Sequence, residues 1–230
     1  MTKTAILIDG GFYRKRAVIL WGEKSPEMRA KELRAYCYEH LKMKDGEIPR
    51  QLYRVFYYDC PPISRKVFHP LLGRTIDLGK TPMYQWATQF FEELKKQRKL
   101  ALRMGRISEN TANYSIKYEI TKRVMNGSKS IIDLTEQDFA IGLEQKGVDM
   151  KIGLDIASLS FKQQVNQIIL ISGDSDFVPA AKLARREGID FILDPMWGPI
   201  KPDLFEHVDG LKSNWGAKGD GPDSKYSLPS

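Results

Sequence analysis

At 230 residues with 42% apolar side chains, the chain is long enough to bury a substantial core, and the even spread of those residues implies one domain. The two cysteines, Cys37 and Cys60, and three histidines are too few for a disulfide framework, a cysteine-rich zinc site or a histidine-based metal centre. A net charge of +7 suits an anionic partner such as nucleic acid, although charge alone also fits many basic proteins.

The first apolar run, TAILID, is cut off by Asp9, too soon for a signal-peptide core or a membrane span, so a cytoplasmic protein without a membrane partner is expected. Gly10 and Gly11 make the turn, and FYRKRAVIL continues as a helix. Ser25-Pro26 opens a second helix, in which Leu33, Tyr36, Cys37 and Leu41 recur at helical spacing. LYRVFYYD, residues 52–59, has the aromatic and β-branched content of a strand and also ends in an aspartate.

A helix from Pro82 to Gln97 and strand material in KLALRMGRIS follow, within a middle segment, 64–137, whose pattern is the least legible. Lys146 to Phe161 predicts a helix with two apolar stripes, Val148, Ile152, Ile156, Leu159 and Met150, Leu154, Ala157, Phe161. Apolar on two sides, this helix is expected to be buried. QIILIS is a continuous apolar strand, DFVPAAKLARREG a helix stopped by Gly188, and IDFILD another strand. Strands that alternate with helices and are apolar on both faces predict an α/β fold, a three-layer α/β/α sandwich with a mainly parallel sheet, over residues 1–212. From Ser213 to Ser230 the chain is rich in Gly, Ser, Pro and Asp and predicts a flexible tail.

Ligands bind at the carboxyl ends of strands in such sheets. Asp9 and Asp59 end strands, Asp174 and Asp176 follow one, and Asp149 begins the helix that leads back into it. Asp9, Asp149, Asp174 and Asp176 are therefore expected to meet at one edge. Aspartate is also a leading helix cap, so each position alone has an ordinary structural role. Together, uncompensated carboxylates repel and need a cation; oxygen-only ligands suit Mg²⁺ or Mn²⁺, which can activate water for phosphodiester cleavage. Asp155 lies about 9 Å along the helix from Asp149 and roughly 120° around it, and Asp59 precedes Cys60-Pro61-Pro62, whose turn it can shape, so both rank as supporting residues.

With those positions assembled, the chain resembles the NYN domains of the PIN-like nuclease superfamily, particularly the LabA-like branch, and it is this resemblance that makes the expected three-layer sandwich a Rossmann-like one. The resemblance rests on AILIDGGFYRK, VFYYDCPP, EQKGVDMKIGLDIASLS and ILISGDSDFVPAAKLARREGIDF, in the family's order. It implies a Rossmann-like sandwich and a metal-dependent ribonuclease with Mg or Mn, in which Asp9, Asp149, Asp174 and Asp176 are the acidic set and Ser172 and Gly173 form the turn presenting the last pair. Many NYN domains carry asparagine in a DGxN pattern where this chain has Phe12 after Gly11, which removes any contact that depends on that asparagine.

A polyanionic substrate needs cations. FYRKR supplies Tyr13 to stack on a base and Arg14, Lys15 and Arg16 for phosphate beside Asp9, while Phe12 is assigned to the core. Lys95, Lys96, Arg98 and Lys99, with Arg103 and Arg106 beyond, form a run without acids, and Lys146 precedes Asp149. The expected partner is RNA, single-stranded before duplex, with DNA still open. The alternative function is a non-catalytic RNA-binding or regulatory protein on the same scaffold.

Overall fold

The computed structural model describes residues 1–42, 48–108 and 112–216, and the chain forms two compact units. The first comprises Met1–Asp59, Gln89–Gly105 and Gly147–Ser230, the second Cys60–Thr88 and Arg106–Lys146. Thus the residues whose pattern was hardest to read coincide largely with a unit of their own.

In chain order, β1 (Thr2–Asp9) leads into α1 (Gly10–Trp21), α2 (Pro26–Glu39) and β2 (Arg50–Asp59). The chain then forms a hairpin, β3 (Lys66–His69) and β4 (Arg74–Asp77), and continues through α3 (Pro82–Lys95) to β5 (Leu100–Met104). Next come β6 (Arg106–Ile107), β7 (Asn113–Ile116), α4 (Tyr118–Met125), β8 (Phe139–Gly142) and β9 (Gln145–Lys146). Finally α5 (Val148–Phe161), β10 (Gln167–Ile171), α6 (Val178–Arg186), β11 (Asp190–Asp194), α7 (Pro202–Phe205) and β12 (Gly210–Leu211) complete the first unit.

The first unit is built on a six-stranded sheet of order β12-β11-β10-β1-β2-β5 in which every pairing is parallel. Apolar runs decide which strands are central: Ala5 to Ile8 of β1 and all of β10 are buried. Neighbouring residues of a strand point to opposite faces, and β2 shows both layers at once. Tyr57 points to α1, its hydroxyl near the Gly10 carbonyl, whereas Tyr58 donates to Asp155 of α5 at 2.8 Å. Helices therefore cover both faces, and the three-layer expectation holds. Gly188 ends α6 as expected, at φ +78°, where a residue with a β-carbon is strained.

Two expectations need revision. On α5 only the stripe Val148, Ile152, Ile156 and Leu159 is buried; Met150, Leu154 and Phe161 are exposed, so the helix packs by one face. A sheet buries one side of a helix, and a second apolar stripe does not by itself recruit a second neighbour. The tail, in turn, does not begin at Ser213: the Ser213 hydroxyl donates to Asp194 at 2.7 Å, and Trp215 packs edge-on against Trp21 and Tyr36. Residues 217–230 lie outside the described residues.

The second unit has its own small core. In the β3–β4 hairpin Val67 and His69 are buried, and the His69 ring packs against Tyr114 and Phe139 at centroid distances of 4.5 and 5.1 Å. The hairpin turns at Gly73, φ +60°. Asp138, held by Lys129 at 2.7 Å and by the Thr135 amide, pins the loop before β8.

Candidate functional site

Parallel strands bring β1, β2 and β10 to one edge, and Asp9 sits at the end of β1 beside Tyr58 of β2. Its Oδ1 accepts the Phe12 amide at 3.0 Å and caps α1. Its Oδ2 faces the hydroxyl of Ser172, a fully buried residue directly after β10, at 3.5 Å. The same hydroxyl accepts the Asp174 amide at 3.3 Å. Ser172 thus links the two acidic loops.

Asp174 caps the short turn Ser175–Phe177 that leads into α6, its Oδ1 accepting the Asp176 amide at 3.0 Å. Capping is therefore realised at both Asp9 and Asp174, and in each it occupies Oδ1. Asp149 lies in the first turn of α5, which starts from Gly147 at φ +80°.

The carboxylates sense one another. Burial raises the Asp9 carboxyl above its usual range, the Phe12 amide opposes the shift, and the charges of Asp149 and Asp59 add to it. Asp149 is raised by burial and then by Asp174 and Asp176. A chain of repulsion thus runs through all four expected residues. Among the described residues no three His, Cys, Asp or Glu side chains form a closed metal-holding group. The donor chemistry nonetheless fits Mg²⁺ or Mn²⁺, since Mg²⁺ is commonly held by one or two carboxylates with water and phosphate completing its shell.

The supporting residues separate. Asp59 is fully buried and paired with Arg14 at 3.0 Å, and it accepts the Tyr57 hydroxyl. Gly10 covers it so closely that a β-carbon there would lie 2.6 Å from Asp59 Oδ2. Asp155 is taken up by Tyr58 and by Arg103 at 3.1 Å, along the flank of the sheet.

Around Asp9 the two aromatic assignments exchange places. Tyr13 is fully buried with its hydroxyl on Glu32, so it cannot stack on a base. Phe12, assigned to the core from the sequence, is half-buried and lies against Gly173 in the acidic loop. One residue along a helix turns about 100°, and which of two adjacent aromatics faces inward is decided by the sheet.

Most of the expected cations are engaged within the protein. Arg14 holds Asp59, and Arg16 donates twice to the Met196 carbonyl, at 3.0 and 2.7 Å. Lys95 and Lys96 pair with Glu92 and Glu93 one turn earlier, and Lys99 donates to the Leu52 carbonyl. Lys146 lies 3.4 Å from Glu144, while Lys15 and Arg98 are exposed. One cation not singled out in the sequence stands beside the acidic loop: Lys201 Nζ is 2.9 Å from the Ser175 hydroxyl. Nothing in its local sequence marks it, because α7 alone brings it there.

Comparison with known proteins gives one family: residues 86–196 match the NYN domain. The match includes Asp149, Asp174 and Asp176 and begins after β1, so it leaves out Asp9. No curated protein matches the chain. The structure is similar to a crystal structure of a protein of unknown function from Vibrio parahaemolyticus RIMD 2210633, with 13% identity over 92% of each chain and a TM-score of 0.49.

Proposed function

From the match of residues 86–196, just under half of the chain, to the NYN domain, we propose that this protein belongs to the PIN-like superfamily and is a metal-dependent nuclease that hydrolyses phosphodiester bonds of single-stranded RNA. The IDGGFY form of the first motif favours the LabA-like branch. The observation that carries the reading is the Ser172 hydroxyl, which faces Asp9 Oδ2 and accepts the Asp174 amide, so that the acidic ends of β1 and β10 meet at one edge.

Asp9, Asp149, Asp174 and Asp176 would hold Mg²⁺ or Mn²⁺. When bound, the ion supplies an activated water and stabilises the departing oxygen. Ser172 orients Asp9 Oδ2 and fixes the Asp174 backbone, so that the two loops keep one spacing. Phe12 offers an aromatic surface at Gly173 for the substrate base next to the scissile phosphate. Lys201, by Ser175, is placed to offset phosphate charge.

Incubating end-labelled single-stranded RNA and DNA with purified protein, in Mg²⁺, Mn²⁺ or chelator and beside Asp174→Asn, tests this reading. Cleavage of RNA that needs metal and is lost in the variant is expected. A second reading, an RNA-binding protein without cleavage, draws on the capping bonds of Asp9 and Asp174; RNA binding that survives the substitution in a protein that never cleaves would establish it.

A further inference from the structure

We propose that the second unit is a strand-holding module for the nuclease reading above: an arginine-lined groove takes phosphates of single-stranded RNA, and the exposed ring of Phe68 takes a base. The groove has a volume of about 560 Å³ and is formed by Pro61, Pro62, Ser64, Arg65, Arg106 and Ile107, all within this unit. Its two charged walls are both cationic. The loop is fixed rather than slack: the Arg65 carbonyl accepts the Leu78 amide at 2.8 Å, and Ser64 sits so close to Gly79 that a β-carbon there would overlap its hydroxyl.

The second wall concentrates charge of one sign. In the β6–β9 ladder Arg106 stands directly opposite Lys146, and both are exposed. Like charges at such a position disfavour the pairing unless an anion sits between or above them. Glu144 offsets Lys146 at 3.4 Å. A bound phosphate relieves what remains.

The hairpin adds a surface of a different kind. Phe68 is 58% exposed and alternates with the buried Val67 and His69, so it points away from the small core. Lys66 shares its face, with Thr75 opposite Phe68 and Asp77 opposite Lys66. Asp77, the acidic residue of that face, has its Oδ1 on the Gly79 amide. Between residues 60 and 88 the chain carries Arg65, Lys66, Arg74 and Lys80 against the single acid Asp77. An exposed aromatic ring with a lysine on the same β-face and further cations in the flanking chain is a surface single strands can use, because every base has a face to stack and every linkage a charge.

Fluorescence anisotropy of a labelled single-stranded RNA, measured in chelator so that no cleavage intervenes, tests the module in the full chain. The set is wild type, Phe68→Ala, Phe68→Trp, and Arg65→Glu with Arg106→Glu, each checked by circular dichroism. Phe68→Ala is expected to weaken binding about tenfold, as loss of one base stack does, and Phe68→Trp to restore it. The double arginine variant is expected to flatten the salt dependence by about 1.4 in the slope of log affinity against log salt, two phosphate contacts at the single-strand value. If wild type binds RNA and the folded unit-two variants bind equally well, the module is refuted while the nuclease reading stands. Tighter binding to single-stranded DNA or to duplex refutes the RNA assignment, and no binding by wild type in chelator refutes the module, while cleavage in Mg²⁺ or Mn²⁺ decides the nuclease reading by itself.

Discussion

Phe12 stands against Gly173 so closely that a β-carbon on Gly173 would fall 2.9 Å from its ring. A residue in the first turn of α1 and the glycine that opens the acidic loop thus fix each other's position. Gly173→Ala must push the ring aside, and a ring at a half-buried site can move. We expect Gly173→Ala to cost about 1 kcal/mol of stability, the low end for overpacking, while lowering cleavage more than tenfold. Denaturant unfolding and initial cleavage rates on one preparation separate the two effects.

Gly10→Ala is the harsher test of the same edge. Its β-carbon would meet Asp59 Oδ2 and the Tyr57 ring, each at 2.6 Å, and both belong to buried side chains. A loss of about 3 kcal/mol is expected, the upper range for overpacking a filled core. A melting temperature equal to that of wild type would show that the Asp59 pocket is loose.

The pH behaviour follows from Asp9 and Asp149, whose native carboxyls titrate above the usual value of 3.8. A raised native value means that the folded state holds its proton more tightly than the unfolded chain. The proton's stabilising contribution is complete below 3.8 and is lost as pH rises through the native value, so at neutral pH the two charges cost stability. Asp9→Asn keeps a capping oxygen, since asparagine caps as well as aspartate does, and removes one charge. It is therefore expected to abolish cleavage and to melt no lower than wild type at pH 7. Metal and protons compete for the same oxygens, so cleavage should rise with pH above the ordinary carboxylate range.

Tyr13→Phe and Phe12→Ala distinguish core from surface. The first removes a hydroxyl from Glu32 within a buried cluster and is expected to lower stability by about 1 kcal/mol without altering RNA affinity. The second is expected to spare stability and to weaken RNA binding about tenfold. The reverse pattern in paired melts and anisotropy titrations would restore the sequence-based assignment.

Truncation after Lys212 removes the Ser213 hydroxyl from Asp194 and the Trp215 ring from Trp21 and Tyr36. We expect a loss of about 2 kcal/mol, below the cost of deleting a fully buried tryptophan because this ring is only partly covered. Trp215→Ala in the full chain should reproduce most of it.

What was legible in the sequence depended on features that a single strand carries by itself. QIILIS had to be central because no polar residue interrupts it, and an aspartate at the end of such a strand must lie at the carboxyl edge whatever the rest of the fold does. Side-chain choice between neighbours was not legible. Phe12 and Tyr13 are both aromatic at a helix start, and the sheet face above them made the selection. The basic run at 95–99 read as free charge because its partners, Glu92 and Glu93, lie a turn earlier, and because Lys99 reaches a carbonyl in β2. Asp194, fully buried and bound by Tyr36, His40 and Ser213, was not singled out within IDFILD, since partners up to 158 residues away in sequence leave no local mark.

The capping bonds of Asp9 and Asp174 also bear on how such a protein can diverge. Exchanging one carboxylate oxygen for an amide nitrogen retains the bond that starts the helix and deletes the charge, so in the proposed nuclease folding and chemistry would hang on different atoms of the same side chain. A descendant can lose cleavage through a single nucleotide change from an aspartate to an asparagine codon and remain a well-folded scaffold. In such a descendant, selection on the second unit's grip could outlast selection on the edge that once cut.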